Sequence, residues 1–63
     1  MAKIYFIDNQ QLAEKIRNSS TWDYDDLTEL CRRAELESEW ENADGEKFES
    51  IAYRAAKILG VEI

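Results

Sequence analysis

Apolar residues recur along this chain at two different spacings. In Lys3-Ile4-Tyr5-Phe6-Ile7 four of them are consecutive, rich in β-branched and aromatic types, and stopped by Asp8-Asn9. The run predicts a short strand, apolar on both faces, that is covered on both sides or paired with another chain. From Leu12 onward the spacing becomes helical. Asp8 followed by Gln11 has the separation of a capping box, which satisfies free N–H groups at a helix start. Leu12, Ala13 and Ile16 then share one face, and the polar run Asn18-Ser19-Ser20-Thr21 ends the helix in a turn.

A second helix is expected to open near Thr21 to Asp23, where acids suit the positive end of the helix dipole. Leu27, Leu30, Cys31 and Ala34 follow the i, i+3, i+4, i+7 pattern. After Ala34 the stripe returns out of phase as Leu36, Trp40 and Ala43. That shift is met by a kink or by a separate short helix over residues 35 to 43, and the pattern leaves both open. Asp44-Gly45 fits a helix-to-helix connection better than a hairpin turn, because Trp40 and Phe48 are not opposed in hairpin register. The last helix is expected from about Glu46 to Leu59, with Phe48, Ile51, Ala52, Ala55 and Leu59 in one stripe and Gly60 as the cap. Val61-Glu62-Ile63 alternates and predicts a second, minimal strand. The fold class is therefore mostly α, a small α+β arrangement of strand, three to four short helices, and strand. Two strands alone are marginal, so the helices carry the stability.

Composition sharpens this picture. Sixty-three residues imply one small domain over 1–63, and a chain this short buries only about 60% of its unfolded surface. Cys31 is the single cysteine and histidine is absent, so neither a disulfide nor an ordinary zinc site is available. Helix packing or self-association must supply the stability, and a homodimer is one expected form. With 44% apolar residues and no proline the chain reads as globular. No apolar stretch has the roughly 7–15 residues of a secretory signal or the about 20 of a membrane helix. A cytoplasmic protein without membrane association is expected, which suits an unpaired thiol.

Net charge is −6, unevenly spread. Residues 23 to 49 hold eleven acids against three bases, a net −8, leaving +2 for the two flanks. The acids lie mostly opposite the apolar stripes and are expected to form a solvated face. Cys31, on an apolar stripe and without a histidine base, reads as a structural thiol. A calcium loop opening at Asp23 would need Gly and Glu where Thr28 and Ala34 stand. Two glycines, at 45 and 60, leave no glycine-rich phosphate loop. Lys15, Arg17, Arg32, Arg33, Arg54 and Lys57 are scattered over three helices of an acidic chain, which argues against direct nucleic-acid binding. No catalytic residue, cofactor or metal is expected, and the chain does not read as an enzyme. Of the aromatics, Trp40 is expected in the core, whereas Trp22, beside a polar turn, is expected to be partly exposed.

The stretch from Leu27 to Ile63 resembles short uncharacterised proteins carried by conjugative elements of Gram-positive gut bacteria. The resemblance rests on the order LCRRA, a Trp-centred acidic stretch, ADGE, and a helix ending in LGVEI. It implies a mobile-element origin and no chemistry. The expectation is a small protein-interaction module with a regulatory role and an unidentified protein partner, contacting it through Trp22 and through Glu35, Glu37, Glu39 and Glu41. The alternative is a DNA mimic, whose closely spaced carboxylates on a helical rod imitate duplex phosphates and occupy the basic groove of a nucleic-acid enzyme.

Overall fold

The structure is a computed structural model that describes residues 6–63. Asp8 starts the fold as read: its carboxylate accepts from the Gln11 N–H at 2.8 Å, and its own N–H donates to Gln11 Oε1 at 3.1 Å. Helix α1 runs Asn9–Asn18 and buries Leu12, Ala13 and Ile16 completely. Asp23 caps α2, Tyr24–Arg33, by accepting from the Asp25 N–H at 2.8 Å. Leu27, Leu30, Cys31 and Ala34 are all buried, as their spacing requires.

Residues 35 to 43 contain a separate helix, α3, Glu37–Glu41. What divides it from α2 is Glu35, which sits at φ 62°, in the left-handed region. There the Glu35 N–H donates to Arg32 O at 3.1 Å and the Leu36 N–H reaches back to Cys31 O at 2.8 Å. These are the two bonds of a Schellman helix end, with Leu36 buried as its apolar contact. Helix α4, Lys47–Leu59, ends in the same way. Gly60 takes φ 72°, donating to Lys57 O at 3.2 Å, and the Val61 N–H donates to Ala56 O at 2.9 Å.

That second motif corrects the expected C-terminal strand. Val61 through Ile63 form no strand, because the Val61 N–H closes the end of α4 and its side chain is buried beneath it. The alternation of Val61, Glu62 and Ile63 comes from a tail laid along the core. Of the expected N-terminal strand, Lys3 to Tyr5 lie outside the described residues, while Phe6 and Ile7 are irregular and Phe6 is exposed. Among the described residues there is no strand, and the protein is mostly helical, with four helices.

Helix α2 is central and packs on each of the others. It runs antiparallel to α1: Asn9 at the start of α1 meets Arg33 at the end of α2, and Lys15 meets Asp26 near its start. Trp40 of α3 is buried, with its indole N–H donating to Thr28 Oγ1 at 2.8 Å, so a large ring enters the core without an orphaned donor. No helix among the described residues is long and apolar enough to cross a membrane.

Candidate functional site

Two surfaces hold the residues singled out by sequence. The first is aromatic and joins the lead-in of α2 to α4. Trp22, in the extended segment before the Asp23 cap, is half-buried, with its ring 5.3 Å from Tyr53 at 72°, edge to face. Two residues on, Tyr24 opens α2 and lies 6.1 Å from Phe48 at 87° and 5.4 Å from Trp40. Phe48 in turn lies 4.8 Å from Trp40, with the two rings tilted at 57°. The inner rings, Trp40 and Phe48, belong to the core or its border, whereas Tyr24 and Tyr53 remain 58% and 49% exposed. Beyond Tyr53 a groove of about 400 Å³ continues between α4 and the tail, lined by Ala56, Lys57, Val61, Glu62 and Ile63.

The second surface is acidic. Glu35, Glu37, Glu39 and Glu41 are all exposed, but they do not form one ladder. Glu35 lies in the turn before α3, on left-handed backbone. Glu37 and Glu41 are four apart on α3 and share a face, with Glu39 on the other side, where it pairs with Arg54 of α4 at 3.2 Å. A shallow groove of about 420 Å³ lies along this contact between α3 and α4.

Two acids depart from the expected solvated face. Asp26 is fully buried, where Lys15 reaches it from α1 at 2.9 and 3.0 Å. It stands in the first turn of α2. Glu29 is also buried and accepts from Arg32 at 2.7 Å and from Arg33 at 2.8 Å. Burial pushes the Glu29 carboxyl up, but the hydrogen bonds from Arg33 and Arg32 outweigh it and hold the group below the usual carboxylate value. Asp26 thus ties α1 to α2, whereas Glu29 pairs within α2 with Arg32 and Arg33, of which Arg33 also donates to Asn9 of α1. Burial pushes the Cys31 thiol up to about 11, so at neutral pH it is protonated and a poor nucleophile. Among the described residues no group of three or more Cys, Asp or Glu is arranged to hold a metal ion.

Sequence reading singled out Trp22 but missed Tyr24 and Tyr53, its companions on this face. Their signal was present. Tyr53 lies off the α4 stripe of Phe48, Ile51, Ala52, Ala55 and Leu59, and Tyr24 precedes the α2 stripe. An aromatic ring outside the apolar face of its own helix has no core to enter. Comparison with protein-family models, with curated proteins and with solved structures finds no match to this chain.

Proposed function

We propose that the chain is a small, non-catalytic interaction module of the cytoplasm that binds another protein through the aromatic face between α2 and α4. The observation that carries this reading is the exposure of Tyr24 and Tyr53, 58% and 49%, beside a half-buried Trp22. Trp and Tyr anchor protein interfaces because they bury much area with few torsions to immobilise. The apolar groove beyond Tyr53 extends the contact surface. A regulatory role on a mobile element agrees with the resemblance of residues 27 to 63.

A second reading, the DNA mimic, draws support from Glu35, Glu37 and Glu41, which are exposed on an acidic molecule. Glu39 counts against it, since Arg54 already partly neutralises that carboxylate.

A photo-crosslinking amino acid placed at Tyr53 or at Glu37, in the cell the protein comes from, separates the two. Adducts with one protein from position 53 and none from position 37 are the expected result. Adducts only from position 37, to a nucleic-acid enzyme, establish the mimic instead. No protein adduct from either position overturns both readings.

A further inference from the structure

Asp44 and Gly45 form the one Asp-Gly pair in the chain, and they stand in the connection from α3 to α4. We propose that this pair is a self-modifying site in the folded protein: Asp44 isomerises to isoaspartate through a cyclic imide and so loosens the first turn of α4. The proposal is independent of the interaction reading.

Ring closure needs a carboxyl that is not held elsewhere, a following nitrogen with little around it, and a backbone able to rotate. The chain has aspartates at 8, 23, 25, 26 and 44, and Asp44 is the one that meets all three conditions. Asp8 and Asp23 spend their carboxylates on the N–H groups of Gln11 and Asp25, and Asp26 is buried against Lys15. The nitrogens after Asp8, Asp23, Asp25 and Asp26 belong to residues with side chains, inside α1 or α2. Asp44 and Gly45 are both exposed and lie outside the helices. No hydrogen bond or ion pair among the described residues engages the Asp44 carboxylate or the Gly45 N–H. Beyond its chain neighbours, no atom comes within 4 Å of where a Cβ on Gly45 would stand. What holds this peptide is the bond from the Lys47 N–H to Asp44 O at 3.0 Å, at an exposed helix end where opening costs little.

The reaction uses these two residues and water. The Gly45 amide nitrogen attacks Cγ of the protonated Asp44 carboxyl. The N–Cγ bond forms, and the amide proton leaves with the carboxyl hydroxyl as water. Water then opens the imide at one of its two carbonyls. Cleavage of the N–Cγ bond returns aspartate, whereas cleavage at the original backbone carbonyl gives isoaspartate, with the main chain running through Cβ and Cγ. The water consumed replaces the water released, so the mass is unchanged and nothing is oxidised. The former backbone carbonyl becomes a carboxylate beside the chain, which takes the acceptor of the Lys47 N–H out of the backbone. The connection is also one bond longer, between helices that Glu39 and Arg54 tie together.

The test ages the full chain in neutral buffer and maps it with a protease that cuts before aspartate but not before isoaspartate. A peptide of residues 41 to 50, too short to hold a helix, is aged alongside as the unstructured reference. Cleavage at Asp44 should disappear at unchanged mass, at a rate within about tenfold of the peptide's; a wider gap means that native order raises the barrier by more than about 1.4 kcal/mol and overturns the proposal. Gly45→Ala keeps the fold, because the site has open space and its φ lies outside the left-handed region. With circular dichroism unchanged, that variant should slow the loss about fivefold or more, since its methyl group crowds the attacking nitrogen. Unchanged ageing in Gly45→Ala, or isoaspartate appearing first at another position, overturns the proposal too. The isomerised chain, separated by reversed-phase chromatography, should exchange its Lys47 amide proton faster than the unaged chain. Equal exchange means that the Asp44 carbonyl does not anchor α4, and the loosening is overturned.

Discussion

Helix α2 takes part in two seams of opposite character. Towards α4 the contact is apolar, with Ala52, Ala55 and Ala56 turned inward on the α4 side, small enough to let the helices approach closely. Towards α1 the apolar residues Leu12, Ala13 and Ile16 are joined by polar links, Lys15 to Asp26 and Arg33 to Asn9. Apolar burial, which is non-directional, operates in both seams, since Leu12 and Ile16 of α1 are as fully buried as the α4 alanines. The polar links add little net energy once desolvation is counted, but they are satisfied in one alignment only, so they set the register of α1 on α2. The same helix is held by burial on both sides and aligned by polar links on one.

The comparison is broken most severely in the buried stripe. A chain of this length has about 3–9 kcal/mol of total stability, and Leu30→Ala is expected to remove about 3 kcal/mol. The cooperative urea transition followed by tryptophan fluorescence should be nearly lost; a normal transition would mean that Leu30 is not a core residue. Next comes the charged seam. Lys15→Met takes the ammonium from a fully buried carboxylate, yet Lys15 is half exposed, so water replaces part of the loss and the cost should be about 2 kcal/mol. Pairing it with Asp26→Leu should restore stability to within about 1 kcal/mol of the starting protein, because the pair aligns more than it stabilises. A double variant as weak as Lys15→Met would contradict that division of labour.

Acid sharpens the same contrast. Glu29 has a lower proton affinity folded than unfolded, so its contribution is present above the ordinary carboxylate value of 4.5 and is lost as pH falls through the lower folded value. Glu29→Gln should cost about 1.5 kcal/mol at pH 7 and flatten the decline between pH 5 and 3, measured as urea midpoints. The smallest effects lie at the two helix ends. Glu35→Gly relieves a side chain held in left-handed backbone and should stabilise by about 1 kcal/mol. Gly60→Ala imposes the same strain and should cost about as much. Melting temperatures should move in opposite directions by about 4–8 °C.

Much of this fold is written in local patterns. The capping box at Asp8, the α2 stripe and the Gly60 cap depend on residues three to five apart, and the structure has them as read. The end of α2 was illegible for a definite reason: its left-handed position holds Glu35, where the glycine that signals such a turn is missing. The tail was misread because alternation over three residues fits a strand and equally fits a chain whose first residue closes a helix. Burial of Asp26 depends on Lys15 arriving from α1, which composition does not encode, whereas the pairing of Glu29 with Arg32 and Arg33 follows from their spacing three and four residues on in α2. At the candidate site, Trp22 was legible from its polar setting. The four acids at 35 to 41 looked like one ladder until the helix period set Glu39 against Arg54.

The buried thiol has a consequence for how the molecule can be watched. Cys31 has no accessible surface and stands on the helix that both seams share. A thiol reagent reaches it only when α2 comes away from its neighbours, an event that separates both seams together. As the chain's one cysteine, it is a built-in clock, and its modification rate in water counts how often the whole core opens, without denaturant and without an added label.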